Sequence, residues 1–275
     1  MTARFDDEAG ARAAPVALSA GAPAAQRDFA WLWRLLSVVL FCGIWEIAGQ
    51  IPINYAFPPF SETAAAFFSM ILDGSLPRAY LSTLQPLVIG VVASAVIGLG
   101  LGVLMGLRRG AEWLVAPVFI VLQAAPVAAL IPLVTFIYGI GLVAKSLSVM
   151  LLALPIIVLN CYKAVRNVNP SLVDMCRSFQ GTRTQQIAKI VIPDASPVIF
   201  AGLRLGVAAG FIGVVLAELL ITPTGIGDLI TYHRAVADYA EMYASIASII
   251  LFSALTLALL QRLEIALFRP ELKKA

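Results

Sequence analysis

Six long apolar segments dominate this chain and limit what it can fold into. A helix needs roughly 20 consecutive apolar residues to cross the hydrocarbon core of a bilayer. Because 60% of the residues are hydrophobic and only 13% are charged, a soluble domain of this size would lack the charge to cover its surface. The sequence therefore predicts an all-α membrane protein with six transmembrane helices. These segments cover residues 31–51, 81–107, 113–140, 146–162, 197–221 and 243–268.

The positions of Lys and Arg predict which way the helices run. Basic residues concentrate in the cytosolic loops of membrane proteins. With the N-terminus inside, the outer segments hold only Arg78, Lys145 and Arg234, and almost all the other Lys and Arg lie in inner segments or at inner helix ends. We therefore expect both termini to be cytosolic.

Four regions follow from this arrangement. An Ala-rich cytosolic tail covers residues 1–28 and is expected to be flexible, because it has few bulky apolar residues. Residues 29–80 hold the first transmembrane helix and an outer segment, in which Ser61 is predicted to cap a short helix that ends at Leu72. Residues 81–268 form the core of the bundle, with a long inner loop at 163–196, and 269–275 form a second cytosolic tail.

The composition excludes several classes of function. A formal charge of +3, with no basic patch interleaved with aromatic residues, gives no indication of nucleic-acid binding. The three cysteines, Cys42, Cys161 and Cys176, follow no ligand spacing, and His233 is the only histidine, so no metal site is expected. The chain also has no phosphate-binding loop of the form GxxxxGK[ST], and we expect no cofactor in it.

Small residues recur at every fourth position in the second and fifth apolar segments. Such stripes let membrane helices approach one another closely. They predict helix packing here, and a path between sliding helices is the alternative that the pattern leaves open. The glycines concerned are Gly98, Gly102 and Gly106 in the second segment and Gly206 and Gly210 in the fifth.

A few polar residues and prolines within the segments are candidates for a translocation path. Arg204 lies near the inner end of its segment, and Glu46 and Glu218 lie near the outer ends of theirs. Ionisable residues in membrane helices serve either at the interface or in a polar pathway, and both roles stay open for these three. Pro126 is expected to kink the third segment and open room at mid-membrane.

The inner loop at 163–196 has a helical pattern of its own. Asn169 and Pro170 predict an N-cap followed by proline at the first helical position, and Gly181 is expected to end this helix. A second helical piece, 183–191, is expected to stop at Pro193. A short amphipathic helix held outside the bilayer by two spans either lies on the lipid surface or inserts into a groove on a partner protein.

This loop resembles the EAA loop of binding-protein-dependent ABC transporter permeases, in particular the nitrate, sulfonate and taurine group. The likeness rests on Asp174 to Gly181, read as DMCRSFQG, and on the KIVIP run that ends at Pro193. It continues through the GLR sequence at 202–204 to Glu218 and the GIGD sequence at 225–228, and covers roughly 81–268. Asp174 and Cys176 depart from the family pattern, and Gln180 stands where the family has glycine.

The resemblance implies a five-helix type I importer core preceded by one N-terminal helix, in the bacterial inner membrane. It implies no enzyme activity in this chain, because ATP and Mg²⁺ would be bound by separate cytosolic ATPase subunits. An extracytoplasmic binding protein would deliver a small solute, such as a sulfonate, taurine or nitrate, to a dimer of two permease subunits. The rival hypothesis is a gradient-driven secondary transporter or channel subunit.

In the family, the ATPase docks on the coupling helix, which here corresponds to Leu172, Val173, Asp174, Met175, Cys176, Arg177, Ser178, Phe179, Gln180 and Gly181.

Overall fold

The computed structural model describes residues 29–51, 56–221 and 223–268, and the regular elements within these ranges are all helical. The predicted fold class is thereby confirmed, whereas the two predicted tails, 1–28 and 269–275, lie outside the described residues. The helices are α1 Ala30–Gln50, α2 Phe60–Leu72, α3 Ser75–Leu107, α4 Arg109–Ala124, α5 Val127–Tyr138, α6 Leu142–Arg166, α7 Pro170–Ser178, α8 Arg183–Gln186, α9 Ile192–Leu220, α10 Ile226–Ala235 and α11 Tyr239–Phe268.

Five helical stretches are long and apolar enough to cross a membrane, and a sixth is formed if α4 and α5 make one broken span. The predicted kink of the third segment, 113–140, is confirmed at Pro126, and the bend of 102° at Ala125 and Pro126 is sharp enough to divide the segment into two helices, α4 and α5. Proline has no N–H to donate and disfavours the helical conformation of the residue before it. Ala125 accordingly takes an extended backbone, with φ −67° and ψ 144°.

The prediction that the second helical piece stops at Pro193 is wrong. A π-helical stretch, Ile187–Val191, joins α8 to α9, and the N–H of Ile192 donates to the carbonyl of Ile187, five residues earlier. Pro193 then occupies one of the first two positions of α9. The wider π turn shifts the hydrogen-bond register at the point where proline offers no donor, so the chain stays helical from Arg183 to Leu220.

Ser61 is not an N-cap, because α2 begins one residue earlier with Pro59 in the cap position. Its N–H and Oγ instead donate to the two carboxylate oxygens of Glu46, at 2.8 and 3.0 Å. Glu46 therefore has a local partner at the beginning of α2.

The chain divides into two compact units, of which the second, Glu46–Ala275, contains the bundle. Within it α6 lies between α3 and α9, and glycines face its side chains. An added Cβ on Gly98 would lie 2.7 Å from Ile157, and one on Gly102 would lie 2.9 Å from the Val158 carbonyl. Gly106 faces Val165, Gly206 faces Ile157 from the other side, and Gly210 lies against Val91, Leu87 and Val149.

Two clusters of buried side chains mark the two ends of this bundle. One includes Met70, Leu76 and Ile226 and lies beside α10, and we refer to this as the α10 end. The other includes Val168, Val191 and Ile199 and lies beside α7, and we refer to this as the α7 end.

Candidate functional site

Helix α7 begins as its sequence predicts. The side chain of Asn169 accepts a hydrogen bond from the N–H of Ser171 at 3.0 Å, and Pro170 opens the helix. The N–H of Asn169 in turn donates to Asp194 at the start of α9, at 3.4 Å. These contacts fix the start of α7 against the helix that follows it.

The two faces of α7 have different surroundings. Val173 packs against the buried cluster of the α7 end, and Asp174 and Arg177 lie on the same face, one turn apart. On the opposite face, Phe179 at the C-cap is 81% exposed and Met175 is 50% exposed. Large apolar side chains on a short, well-anchored helix are the kind of surface that a groove on a partner protein accepts.

The C-terminus of α7 shows why Gln180 can stand where the family has glycine, with Gly181 one position later. Gln180 adopts φ +56°, in the left-handed region. The N–H of Gln180 donates to the Arg177 carbonyl, and that of Gly181 donates to the Cys176 carbonyl, both at 2.9 Å. This pair of bonds is a Schellman motif with Gln180 at the position that glycine usually occupies. Gly181 is required for a different reason, since a Cβ there would lie 2.9 Å from the carbonyl oxygen of Cys176.

At the α10 end, Glu218 is the centre of a buried polar network. It is 2% exposed, and its Oε1 accepts a hydrogen bond from Nζ of Lys145 at 2.9 Å. Thr83 Oγ1 lies 3.0 Å from both carboxylate oxygens, and the N–H of Gly227 donates to Oε2 at 3.1 Å. Lys145 also donates to the carbonyl and hydroxyl oxygens of Thr224, at 3.0 and 2.9 Å.

Two glycines allow the chain to fold around this carboxylate. Gly225 has φ +97°, and a Cβ there would overlap the carboxylate of Glu218. Gly227 has equally little space, because a Cβ would lie 2.9 Å from the backbone nitrogen of Leu219. The N–H of Ile226 donates to Thr83 Oγ1 at 3.0 Å. The Thr224–Gly227 turn is thus fixed to α3 and α9 by buried hydrogen bonds and to α6 by part-buried ones.

Neither Lys145 nor Thr83 is marked as part of a site by the sequence. Lys145 is predicted in an outer connection, and this prediction is wrong, because α6 begins at Leu142 and Lys145 is only 4% exposed. Its distance of 73 residues from Glu218 leaves no local signal of the pair. The one available indication is the pair of glycines at 225 and 227, which shows that the backbone closely approaches another group.

The other path candidates lie apart from this network. Arg204 forms an ion pair with Glu264 of α11, with Nη1 and Oε2 3.3 Å apart. Pro126 is exposed at the break between α4 and α5. The structure therefore does not bring Arg204, Glu218 and Pro126 together into one site.

His233 lies near two carboxylates at the corner between α10 and α11. Its ligand atoms and those of Asp238 and Glu241 are all within 4.8 Å of one another. Nδ1 of His233 is 3.9 Å from Oδ2 of Asp238, too far for a hydrogen bond. The sequence gives no reason to group these residues.

Several helices long and apolar enough to span a membrane, with one short helix at one end of the bundle, define a multi-pass helical membrane protein. The chain belongs to the family of binding-protein-dependent transport system inner membrane components, whose sequence model matches residues 96–269. This family and the fold establish a multi-pass membrane protein that is a subunit of a transport system.

Curated relatives cover most of the chain. It is 27% identical over 241 residues to the putative aliphatic sulfonates transport permease protein SsuC of Bacillus subtilis, and the match covers 87% of each chain. It is 30% identical to the riboflavin transport system permease protein RibX of Chloroflexus aurantiacus, over 86% of this chain and 89% of the relative. The taurine transport system permease protein TauC of Escherichia coli is 25% identical over 74% of this chain and 80% of its own length.

A solved structure has the same fold. The MetNI methionine ABC transporter, in an inward-facing conformation, matches with a TM-score of 0.62 and 20% identity, over 70% of this chain and 96% of that chain. The family and the shared fold together place the chain among ABC transporter membrane subunits, rather than among the gradient-driven secondary transporters or channel subunits of the rival hypothesis.

Proposed function

We propose that this permease imports a small solute by alternating access, driven by ATP hydrolysis on separate cytosolic ATPase subunits. ATP and Mg²⁺ bind on those partners, and an extracytoplasmic binding protein delivers the solute. Two copies of the chain form the pathway in the bacterial inner membrane. In this arrangement the α7 end is cytosolic, which is supported by Arg108, Arg109 and Lys163 at that end.

The observation that carries the proposal is the two-faced environment of α7. Val173 anchors one face in the bundle, whereas Met175 and Phe179 project from the other. A helix held in this way transmits the movement of a docked partner into α6 and α9, because Val173 packs with buried residues of both helices. We propose that residues 172–181 are the coupling helix and that Phe179 is its main anchor in the ATPase.

The test is the variant Phe179→Ala, with Leu72→Ala as its matched control. Leu72 is an equally exposed apolar residue, 87% exposed, at the end of α2. Loss of an aromatic anchor weakens a protein interface by about 2 kcal/mol or more, roughly 30-fold in affinity. We expect Phe179→Ala to reduce both the ATPase that copurifies with the tagged permease and ATP-dependent uptake into proteoliposomes, whereas Leu72→Ala changes neither. Unchanged uptake after replacement of residues 170–181 by a polar linker would overturn the proposal.

For the solute, we propose a small organic or inorganic anion of the sulfonate, taurine or nitrate type. Similarity to the sulfonate and taurine permeases supports this class. The riboflavin permease, at 30% identity, favours a heteroaromatic solute as the competing candidate. Mass spectrometry of the ligand that copurifies with the cognate binding protein separates them, and recovery of a flavin would reject the anion.

A further inference from the structure

Five arginines surround a recess at the α7 end. The recess has a volume of about 860 Å³ and lies where α3 and α6 end and α4, α7 and α8 begin. The sequence does not group these five residues, because they come from four separate parts of the chain, and it marks only Arg177, as part of the helix expected to dock the ATPase. The arginines are Arg108, Arg109, Arg166, Arg177 and Arg183.

Among the described residues, only two of these guanidinium groups have an acidic partner. Arg177 pairs with Asp174 at 3.2 Å, and Arg166 lies 4.0 Å from Glu112. In the part of the chain that the structure describes, Arg108, Arg109 and Arg183 have no carboxylate within 4.0 Å. The recess therefore carries at least three positive charges that the described residues of its wall leave unneutralised.

The rest of the wall is largely apolar. Leu104 and Leu107 come from the last turn of α3, and Val165 and Val168 come from the end of α6 and the residues after it. Because α3 and α6 are long and apolar enough to span a membrane and both end at the recess, we expect this boundary between apolar wall and arginines to lie where hydrocarbon gives way to headgroups. Basic pockets between membrane helices on the cytosolic side are a known way to bind anionic lipid headgroups.

The recess and the proposed ATPase contact lie on opposite faces of α7. One face of α7 lines the recess, through four residues at the spacing of a single helical face: Pro170, Val173, Asp174 and Arg177. Met175 and Phe179 are on the other side and do not line it. This separation favours lipid over the partner ATPase as the occupant of the recess.

We propose that the recess binds the phosphate of an anionic glycerophospholipid. The guanidinium groups of Arg108, Arg109 and Arg183 bind the phosphate oxygens, since arginine matches phosphate with paired hydrogen bonds. The glycerol and upper acyl chains lie against Leu104, Leu107 and Val165. If α7 is the coupling helix, and for this step the inference rests on the proposed function, the bound lipid braces α7 and α8 against the ends of α3 and α4.

The test uses the full-length chain, purified as the transporter complex without nucleotide, in native mass spectrometry. The probes are dioleoyl phosphatidylglycerol, phosphatidylcholine with the same acyl chains, and glycerol 3-phosphate. The recess variant is Arg108→Gln/Arg109→Gln/Arg183→Gln. The control variant, Lys163→Gln/Lys189→Gln/Arg262→Gln, removes the same charge from exposed positions outside the recess.

We expect phosphatidylglycerol to be retained by the unsubstituted and control proteins in preference to phosphatidylcholine. The recess variant should bind it roughly a hundredfold more weakly, at about fivefold for each arginine lost. Arg183→Gln alone should weaken binding about fivefold, which provides a milder variant if the triple one is poorly folded. Such a result supports the proposal whether or not Phe179→Ala affects the ATPase, so the two hypotheses fail separately.

Three results would overturn the lipid site. Equal losses in the recess and control variants would mean that binding reflects overall charge. Displacement of the lipid by equimolar glycerol 3-phosphate would assign the recess to a soluble phosphate compound. Loss of the copurifying ATPase, with phosphatidylglycerol retention unchanged in the recess variant, would assign the arginines to the protein partner.

Discussion

The buried pair of Lys145 and Glu218 allows a quantitative test of the network at the α10 end. The substitution Lys145→Met removes the ammonium group and keeps most of the side-chain volume. It leaves the Glu218 carboxylate, whose side chain is 0% exposed, with only Thr83 and the N–H of Gly227 as donors among the described residues. The substitution also removes both bonds that hold Thr224 to α6.

The expected cost follows from this geometry. Removing one partner of a buried ion pair destabilises a protein by about 3–5 kcal/mol, because the remaining charge is buried without compensation. At roughly 2–4 °C of melting temperature per kcal/mol, this corresponds to a loss of about 6–20 °C. The double variant Lys145→Met/Glu218→Gln should recover more than half of the loss, because it leaves no buried charge at this site.

Thermal unfolding of the purified protein in detergent, followed by intrinsic fluorescence, measures these shifts. Lys163→Met is the matched control, because it makes the same substitution on the same helix at an exposed lysine. We expect the control to melt within about 2 °C of the unsubstituted protein. If Lys145→Met melts as the control does, the reasoning is refuted. A double variant less stable than Lys145→Met would equally contradict it.

Three other predictions concern single residues. Gln180→Gly should raise stability by about 1 kcal/mol in the same melting assay, since glycine relieves the left-handed conformation, and an unchanged melting temperature would contradict that conformation. Gly102→Ala should lower stability by about 1–3 kcal/mol, because the added Cβ would collide with α6. The control Gly100→Ala should not lower stability, since a Cβ there has no neighbouring atom within 4 Å, and equal effects of the two substitutions would refute the close packing. The backbone N–H of Ser75 donates to Asp73 and holds the pKa of this carboxyl group below its ordinary value. The ionised carboxylate therefore stabilises the folded state at pH values above the pKa of Asp73 in the unfolded chain, and this stabilisation is lost as the pH falls through the lower pKa of the folded state. Melting temperatures of Asp73→Asn and the unsubstituted protein should therefore converge at acid pH, and a constant difference would contradict this.

Local sequence patterns predict α7 well. Its N-cap, its first proline and its separation from α6 each depend on residues within a few positions of one another, so the sequence carries the information directly. The end of the helix is harder to predict. Glycine normally marks the left-handed position, and here Gln180 takes that conformation while Gly181 is needed for contact with Cys176.

The network around Glu218 could not be predicted from the sequence, because its members lie far apart along the chain. Its members come from α3, α6, α9 and the turn before α10, and Thr83 and Glu218 are 135 residues apart. Hydropathy marks Lys145 as a residue outside the membrane, since a charged side chain ends an apolar run. Only the fold shows that its charge is neutralised by a carboxylate on a neighbouring helix.

Helix α6 connects the two ends of the bundle and limits where the protein can change shape. It carries Lys145 of the Glu218 network near its first turn and Val165 of the α7-end cluster near its last. Between them, glycines of α3 and α9 bring both helices within van der Waals distance of its side chains. Closely packed interfaces of this kind shift as rigid bodies rather than deform. We therefore expect α3, α6 and α9 to move together as one rigid body during transport. We expect the break between α4 and α5, at Ala125 and Pro126, to be one place where the bundle bends.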